Sequence, residues 1–256
     1  MIIEVEQFSV FLLVAIRFSG LIVSAPILGS GNFPVIGKIG LIGLSAMLVT
    51  PGVPALDTPI PSEPLAFALM AATELLIGLI IGLVMTLIFA AIQVGGQIMD
   101  MQSGFGMMNV FNPALETQFP IFGFFYFIIA VLYLLIIGGH RMMIRALAGT
   151  FETIPLGGLA PDENLMWVVT RWGSGMFFDA LLIAAPVMAA MMLAYITMGL
   201  MGRVVPQIHL FVVGFPLTIA TALFVVALSL DLYIRLLNGM FSDMFRNVST
   251  LIRGLG

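Results

Sequence analysis

Four ionisable residues stand in or beside apolar stretches of this 256-residue chain: Glu74 heads ELLIGLIIG, Asp100 ends QVGGQIMD, Asp179 lies in FFDALLIAAP and Arg203 in GRVVPQIHLF. A charged side chain within a bilayer costs ~2.5–3.5 kcal/mol on insertion scales, so each is a candidate for proton or ion relay. Each is also a candidate for a helix end or a mutual ion pair. Asp100, Asp179 and Arg203 fall near the ends of their apolar runs and read as helix-end residues. Glu74 lies deeper, and both readings stay open for it. Other chemistry is sparse. His140 and His209 have no metal-ligand spacing around them and read as hydrogen-bonded structural residues. The chain has no Cys, which excludes disulfides and thiolate metal sites. GFGMMN at Gly104–Asn109 opens like a dinucleotide fingerprint, but Asn stands where the third Gly belongs and no strand signal precedes it. A zinc-protease His pair, a phosphate loop with Lys and a strand-to-helix nucleophile elbow are all missing. These residues point away from an enzyme, a metal or a cofactor.

The elements that must position them are set by composition. The chain is 61% hydrophobic and 9% charged, against about 25% charged residues in a soluble domain. So much apolar surface exceeds what one core can hide, and lipid or partner subunits must cover the rest. The net charge is −4 with a single Lys, Lys38, which excludes a phosphate-binding surface and hence nucleic acid. Glu4 and Glu6 stand where a signal peptide would be basic, so the first apolar run reads as retained. The uncharged runs are Phe18–Gly37, Ile39–Leu56, Leu75–Met99, Thr117–Gly139, Ala180–Met201 and Val204–Leu230. Most reach the ~20 residues that span a bilayer as a helix. Pro51–Pro64 and Thr150–Asn164 read as loops, the second leading into a short helix near Pro161. From Leu232 the tail repeats Leu236, Met240, Met244, Val248 and Ile252, an amphipathic helix over about 232–253 that suits a membrane surface or a partner.

Pro186 and Pro216 interrupt their runs from inside, and proline kinks a helix by removing a hydrogen bond. Gly78 and Gly82 form a GxxxG pair, while Gly37, Gly40 and Gly43 follow one another at three-residue spacing; such residues let helices approach closely. If each run crosses once, Lys38 and Arg203 fall on one side of the membrane. Arg141, Arg145, Arg171 and the tail arginines fall on the other. The positive-inside rule wants one basic face, so either the crossings differ in number or this is not a simple multispan protein.

The segment SGFGMMNVFNPALETQFP, Ser103–Pro120, is unusual for a connection between apolar runs. It carries three Phe, two Met and a single charge, Glu116. Met is flexible and fills irregular gaps, and hydrophobic constrictions gate pores by excluding water. Two readings follow: a plug inside a channel, or a re-entrant segment packed on its own protein.

Taken together, RFSGLIVSAPILGSGNFP (Arg17–Pro34), ELLIGLIIGLVM (Glu74–Met85), GGQIMDMQSGFGMMNVFNP (Gly95–Pro113), TFETIPLGG (Thr150–Gly158) and GRVVPQIHLFVVGFPLTI (Gly202–Ile219) resemble the FliR family, the T-subunit family of type III secretion systems. They stand in the family's order and span nearly the whole chain. The resemblance implies an all-α integral membrane protein, one export-gate domain over residues 1–256, built of kinked helical hairpins assembling into a heteromeric helical cone. It implies a non-enzymatic gate without cofactor, in the bacterial inner membrane at the flagellar basal body. Its partners would be FliP-like, FliQ-like, FlhB-like and FlhA-like proteins, unfolded protein substrates and membrane lipid. The segment Gly104–Pro120 would project into the channel and close it, with Phe105, Met107, Met108 and Phe111 sealing and Asn112–Pro113 setting the turn. Glu74, Gly78, Gly82, Arg203, Pro206, Gln207 and Pro216 would serve assembly and packing. Two alternatives stand beside this: the equivalent subunit of a virulence-type secretion system, and a secondary transporter with Glu74 and Asp179 as coupling residues, for which inverted repeats are the missing sign.

Overall fold

The structure, a computed structural model, describes residues 5–31, 33–54, 60–61, 63–106, 120–160, 162–163, 165–205 and 210–256. Among these it holds seven α-helices and no strand: α1 Val5–Ser24, α2 Val35–Val49, α3 Pro64–Ser103, α4 Ile121–Ile136, α5 Gly139–Thr153, α6 Leu165–Val204 and α7 Leu210–Leu255, with a 3-10 turn at Thr50–Gly52. Apolar segments of this kind satisfy their backbone groups internally, and the helix does so within one segment. By length and composition five helices can cross a membrane, or six if α4 and α5 count as one span bent by 65° at Ile137–Gly138.

The helices outrun the apolar runs from which the sequence expects them. α3 and α6 have 40 residues and α7 has 46. At 1.5 Å per residue they extend about 60–70 Å, roughly twice a ~30 Å hydrocarbon core. α3 starts at Pro64, where proline suits a first turn. α6 starts at Leu165 and runs unbroken, in place of a short helix near Pro161 followed by a separate span. α5 was not marked by an apolar run because it is amphipathic: Met143, Leu147, Thr150 and Phe151 are buried while Arg141 and Arg145 face outward. Conversely, Phe18–Gly37 is not one helix. α1 stops at Ser24, and Ala25–Ser30 folds into turns, with the Gly29 N–H on the Ala25 carbonyl (2.9 Å) and Lys38 Nζ donating to the Gly29 carbonyl (3.0 Å). Pro26 and Pro34 bound this region, since neither can continue a helix interior. Pro186 and Pro216, by contrast, lie inside continuous α6 and α7. The amphipathic tail forms the last turns of α7.

The chain forms two compact units. Unit 1 comprises residues 1–87, 134–172 and 242–256; unit 2 comprises 88–133 and 173–241. In unit 1, Leu13, Phe18, Ile77, Ile81, Leu147 and Leu251 are fully buried. Here α1 and α3 touch backbone to backbone. A Cβ on Gly78 would strike the Arg17 carbonyl oxygen, and one on Gly20 the Leu75 carbonyl oxygen. Gly82 abuts Ser24, and Thr86 Oγ1 donates to the Ser24 carbonyl at 3.0 Å. This is small-residue helix packing of the membrane type. Gly40 and Gly43 of α2 instead face open space, and Ile36 beside them is 85% exposed.

In unit 2, Phe89 packs on Phe127 and Phe241 at ring distances of 5.7 and 5.8 Å. Tyr126 meets Tyr233 edge to face at 4.1 Å, and the Tyr233 hydroxyl donates to the Tyr126 carbonyl at 2.8 Å. Buried tyrosines need such a partner for the hydroxyl. The outward side of α6 stays apolar: Phe177, Phe178, Met192 and Leu193 are each 60–67% exposed.

Candidate functional site

Arg17 stands in the middle of α1 as the sole charge in the stretch Phe8–Ala25. It is wholly buried, and so is Glu74 of α3. Arg17 Nε donates to Glu74 Oε2 at 2.5 Å, Nη1 to Thr150 Oγ1 at 2.9 Å, and both Nη atoms to the Ile154 carbonyl at 3.1 and 3.2 Å. The guanidinium carbon lies 4.1 Å from the centre of the Phe151 ring, a cation–π contact. Glu74 Oε1 accepts the Gly157 N–H at 2.8 Å. Thr150 Oγ1 itself donates a hydrogen bond to the Leu147 carbonyl at 2.6 Å.

One ion pair thus joins α1, α3, α5 and the turn that follows α5, all within unit 1. Two buried charges persist because each is paired and its remaining hydrogen-bonding capacity is used. Arg suits this place better than Lys, since its fork donates in fixed directions to several acceptors at once. Gly157 has φ +76, the left-handed region, and its N–H is thereby aimed at Glu74. A side chain there would be strained and would also press on Met70. Chemically, the arrangement holds a geometry. Both Glu74 oxygens are bound and the side chain meets no solvent, so it is not set up to relay a proton or an ion.

The other sequence-derived residues separate into groups. Glu74, Gly78 and Gly82 share one face of α3, at helical spacing, against α1. Asp100 lies in the last turn of α3, and its carboxylate accepts the N–H groups of Phe122 (3.1 Å) and Gly123 (3.4 Å) at the start of α4. Phe105 is half-buried, its ring edge-on to Phe122 at 5.4 Å. Asp179 is half-buried on α6. Arg203 is exposed in the last turn of α6, where a cation is favoured by the helix C-terminus. Pro216 is exposed on α7. His140 opens α5 with its Nδ1 buried and no hydrogen-bond partner among the described residues, contrary to the bonded histidine the sequence led us to expect; nothing in the structure explains it. Met107, Met108, Phe111, Asn112, Pro113, Pro206, Gln207 and His209 lie outside the described residues.

Sequence reasoning missed Arg17 as the partner of Glu74. The signal was present: two opposite charges, each alone in an apolar stretch, each needing the other. Nothing in the sequence measured their distance.

The chain matches Bacterial export proteins, family 1, over residues 8–244. It is similar to the flagellar biosynthetic protein FliR of Escherichia coli (strain K12), 32% identical over 241 residues, covering 94% of this chain and 91% of that one. It is 30% identical over 256 residues to FliR of Bacillus subtilis (strain 168), covering 97% of each. FliR of Pectobacterium carotovorum subsp. carotovorum is 31% identical over 240 residues, with 94% and 91% covered. The Arg17–Glu74 network and Asp100 all fall within the matched residues. The chain belongs to family 1 of the bacterial export proteins, the family of the flagellar biosynthetic protein FliR.

Proposed function

We propose that this protein is a structural channel and gate subunit of the flagellar type III protein export apparatus, and not an enzyme. The observation that carries the reading is the family match over residues 8–244, with relatives named as flagellar biosynthetic proteins along nearly the full chain. The helix lengths support it. Apolar helices of about 60–70 Å exceed a ~30 Å hydrocarbon layer, and α6 keeps large exposed side chains along its length. Neighbouring protein subunits are the covering such a surface needs beyond lipid. The partners are FliP-like and FliQ-like subunits in a heteromeric helical cone, with FlhB-like and FlhA-like proteins beside it, in the inner membrane at the flagellar basal body. Unfolded flagellar proteins pass through, and the segment Gly104–Pro120 seals the path with Phe105, Met107, Met108 and Phe111, turned at Asn112–Pro113. Gly78 and Gly82 pack the subunit, while Arg203, Pro206, Gln207 and Pro216 serve assembly.

The test is deletion and complementation in the host. Cells lacking the chain should be non-motile and release no flagellin, and a tagged copy should restore both while co-purifying with FliP-like and FliQ-like subunits. Motility that survives the deletion overturns the flagellar assignment. A purified chain that moves a small solute alone, without partners, would establish the transporter instead.

A further inference from the structure

The first turns of α6, within unit 1, leave a tryptophan in the open: Trp167 is 64% exposed, and Met166 beside it is exposed as well. Trp is highly buried on average in folded proteins, so an open indole calls for something that covers it. Arg171, one turn on and also exposed, lays its guanidinium carbon 5.5 Å from the centre of the Trp167 ring. That is within reach of a cation–π contact. The direction follows from helix geometry: side chains lean toward the helix N-terminus, so residue i+4 lies back over residue i.

The polarity along α6 is ordered. Asp162 and Glu163 are exposed just before the helix, and the Asp162 carbonyl accepts the Leu165 N–H at 2.9 Å. Trp167 and Arg171 come next. Beyond them Phe177, Phe178, Leu181 and Leu182 are exposed, and the one charge between Arg171 and Arg203, Asp179, is half-buried. Acids, then an indole with a cation, then open apolar side chains is the order along a helix that passes from water through lipid headgroups into hydrocarbon. Trp is enriched at that boundary because its ring has an apolar body and a polar tip. Arg lays its methylene stem on apolar surface and turns its charge back to the headgroups; here the charge turns toward Trp167 and the acidic end. Its planar fork matches a phosphate. A pocket on a neighbouring subunit would also accept a Trp–Arg pair, but it would not require this ordering.

We infer that Trp167 and Arg171 form a phospholipid-headgroup site at the membrane–water interface where α6 enters lipid, with the indole beside the acyl ester groups and the guanidinium on the lipid phosphate. The site does not depend on what the assembled complex transports. To test it, the complex that the full-length chain forms is placed in nanodiscs of phosphatidylethanolamine and phosphatidylglycerol. Trp167 emission is read as the difference between each protein and its Trp167→Phe counterpart, which leaves Trp172 and every partner tryptophan common to both. Lipid brominated near the headgroup end of its acyl chains should quench this emission at least about twofold more than lipid brominated near the chain ends. In a titration with brominated phosphatidylglycerol, Arg171→Gln should raise the lipid fraction at half-quenching about fivefold, and Arg171→Lys, which keeps the charge, should restore most of the difference. Arg246→Ala removes an arginine already held by Asp243 at 2.7 Å and should change nothing. Trp167 and Arg171 are both exposed, so these variants should assemble as the wild type does, which size exclusion checks. Emission shielded both from brominated lipid and from aqueous acrylamide would put a partner subunit over Trp167 and overturn the inference. Emission quenched by acrylamide but by no lipid would put Trp167 in water, with the same result. Headgroup-end quenching with a half-point unmoved in Arg171→Gln would remove Arg171 as the phosphate contact, and the site with it.

Discussion

Replacing Glu74 by Gln should destabilise the protein far more than its near-identical shape implies. Gln offers one acceptor oxygen where Glu74 uses two, one toward Arg17 Nε and one toward the Gly157 N–H. Its amide nitrogen must therefore confront a donor, and the Arg17 charge is left buried without a counter-ion. Removing one partner of a buried ion pair costs ~3–5 kcal/mol, which is roughly a hundred- to few-thousandfold in an equilibrium. Gln belongs near the lower end, because it can keep one bond. For a chain of this size that predicts a fall in melting temperature of about 6–12 °C, read by heating the detergent-solubilised complex and measuring what remains monodisperse by size exclusion. Arg17→Met should cost as much or more, since it buries an unpaired carboxylate and also removes the contact over Phe151. The double variant Arg17→Met/Glu74→Leu removes both charges together. It should fall short of the sum of the singles by about 2 kcal/mol or more, the sign of direct coupling. The reasoning is refuted if Glu74→Gln melts with the wild type and loses only transport. That result would make Glu74 a working carboxylate.

Further outcomes follow from the same geometry. Gly78→Val should abolish stable protein, because the new side chain meets the Arg17 carbonyl of α1 and no rotamer relieves a backbone contact; expression and size exclusion read this directly, and a well-folded variant would deny the close approach. Gly157→Ala should cost more than an exposed turn change, by about 1–2 kcal/mol, since it strains φ and misdirects the N–H held by Glu74. Arg203→Ala should lower the pull-down yield of the FliP-like and FliQ-like complex; normal yield with failed export would place Arg203 in the channel instead. Deleting residues 107–115 should leave that yield intact and make the membrane leak, whereas lost assembly without leak would make the segment structural.

Much of the fold class was legible because it rests on local quantities. Apolar stretches with few charges, long enough for a bilayer, leave the backbone no partner but itself, and the helix is the answer whatever the neighbours do. The family was legible for a related reason: short motifs in a fixed order along the chain do not require knowing where they meet. Helix limits were less legible. Apolarity marks burial rather than helix, so α5 with its outward arginines and the polar-ended extensions of α3 and α6 lay beyond the apolar runs, while Phe18–Gly37 bridged a real break at Ala25–Ser30.

The site divides along the same line. From its sequence, Glu74 was a charge in need of compensation, and that much is intrinsic to a carboxylate in an apolar stretch. What compensates it was decided only in three dimensions. Arg17 lies 57 positions away, and the other acceptors of Arg17 lie at Thr150 and Ile154, more than 130 positions from it. Asp100 was legible as a helix-end residue, but its partners are backbone N–H groups, which every residue except proline carries and which no pattern of side chains can mark. Sequence determines local propensity and the demand for a partner, because those depend on neighbours within a helical turn. The tertiary structure decides which distant group meets the demand, because that depends on how the chain closes on itself.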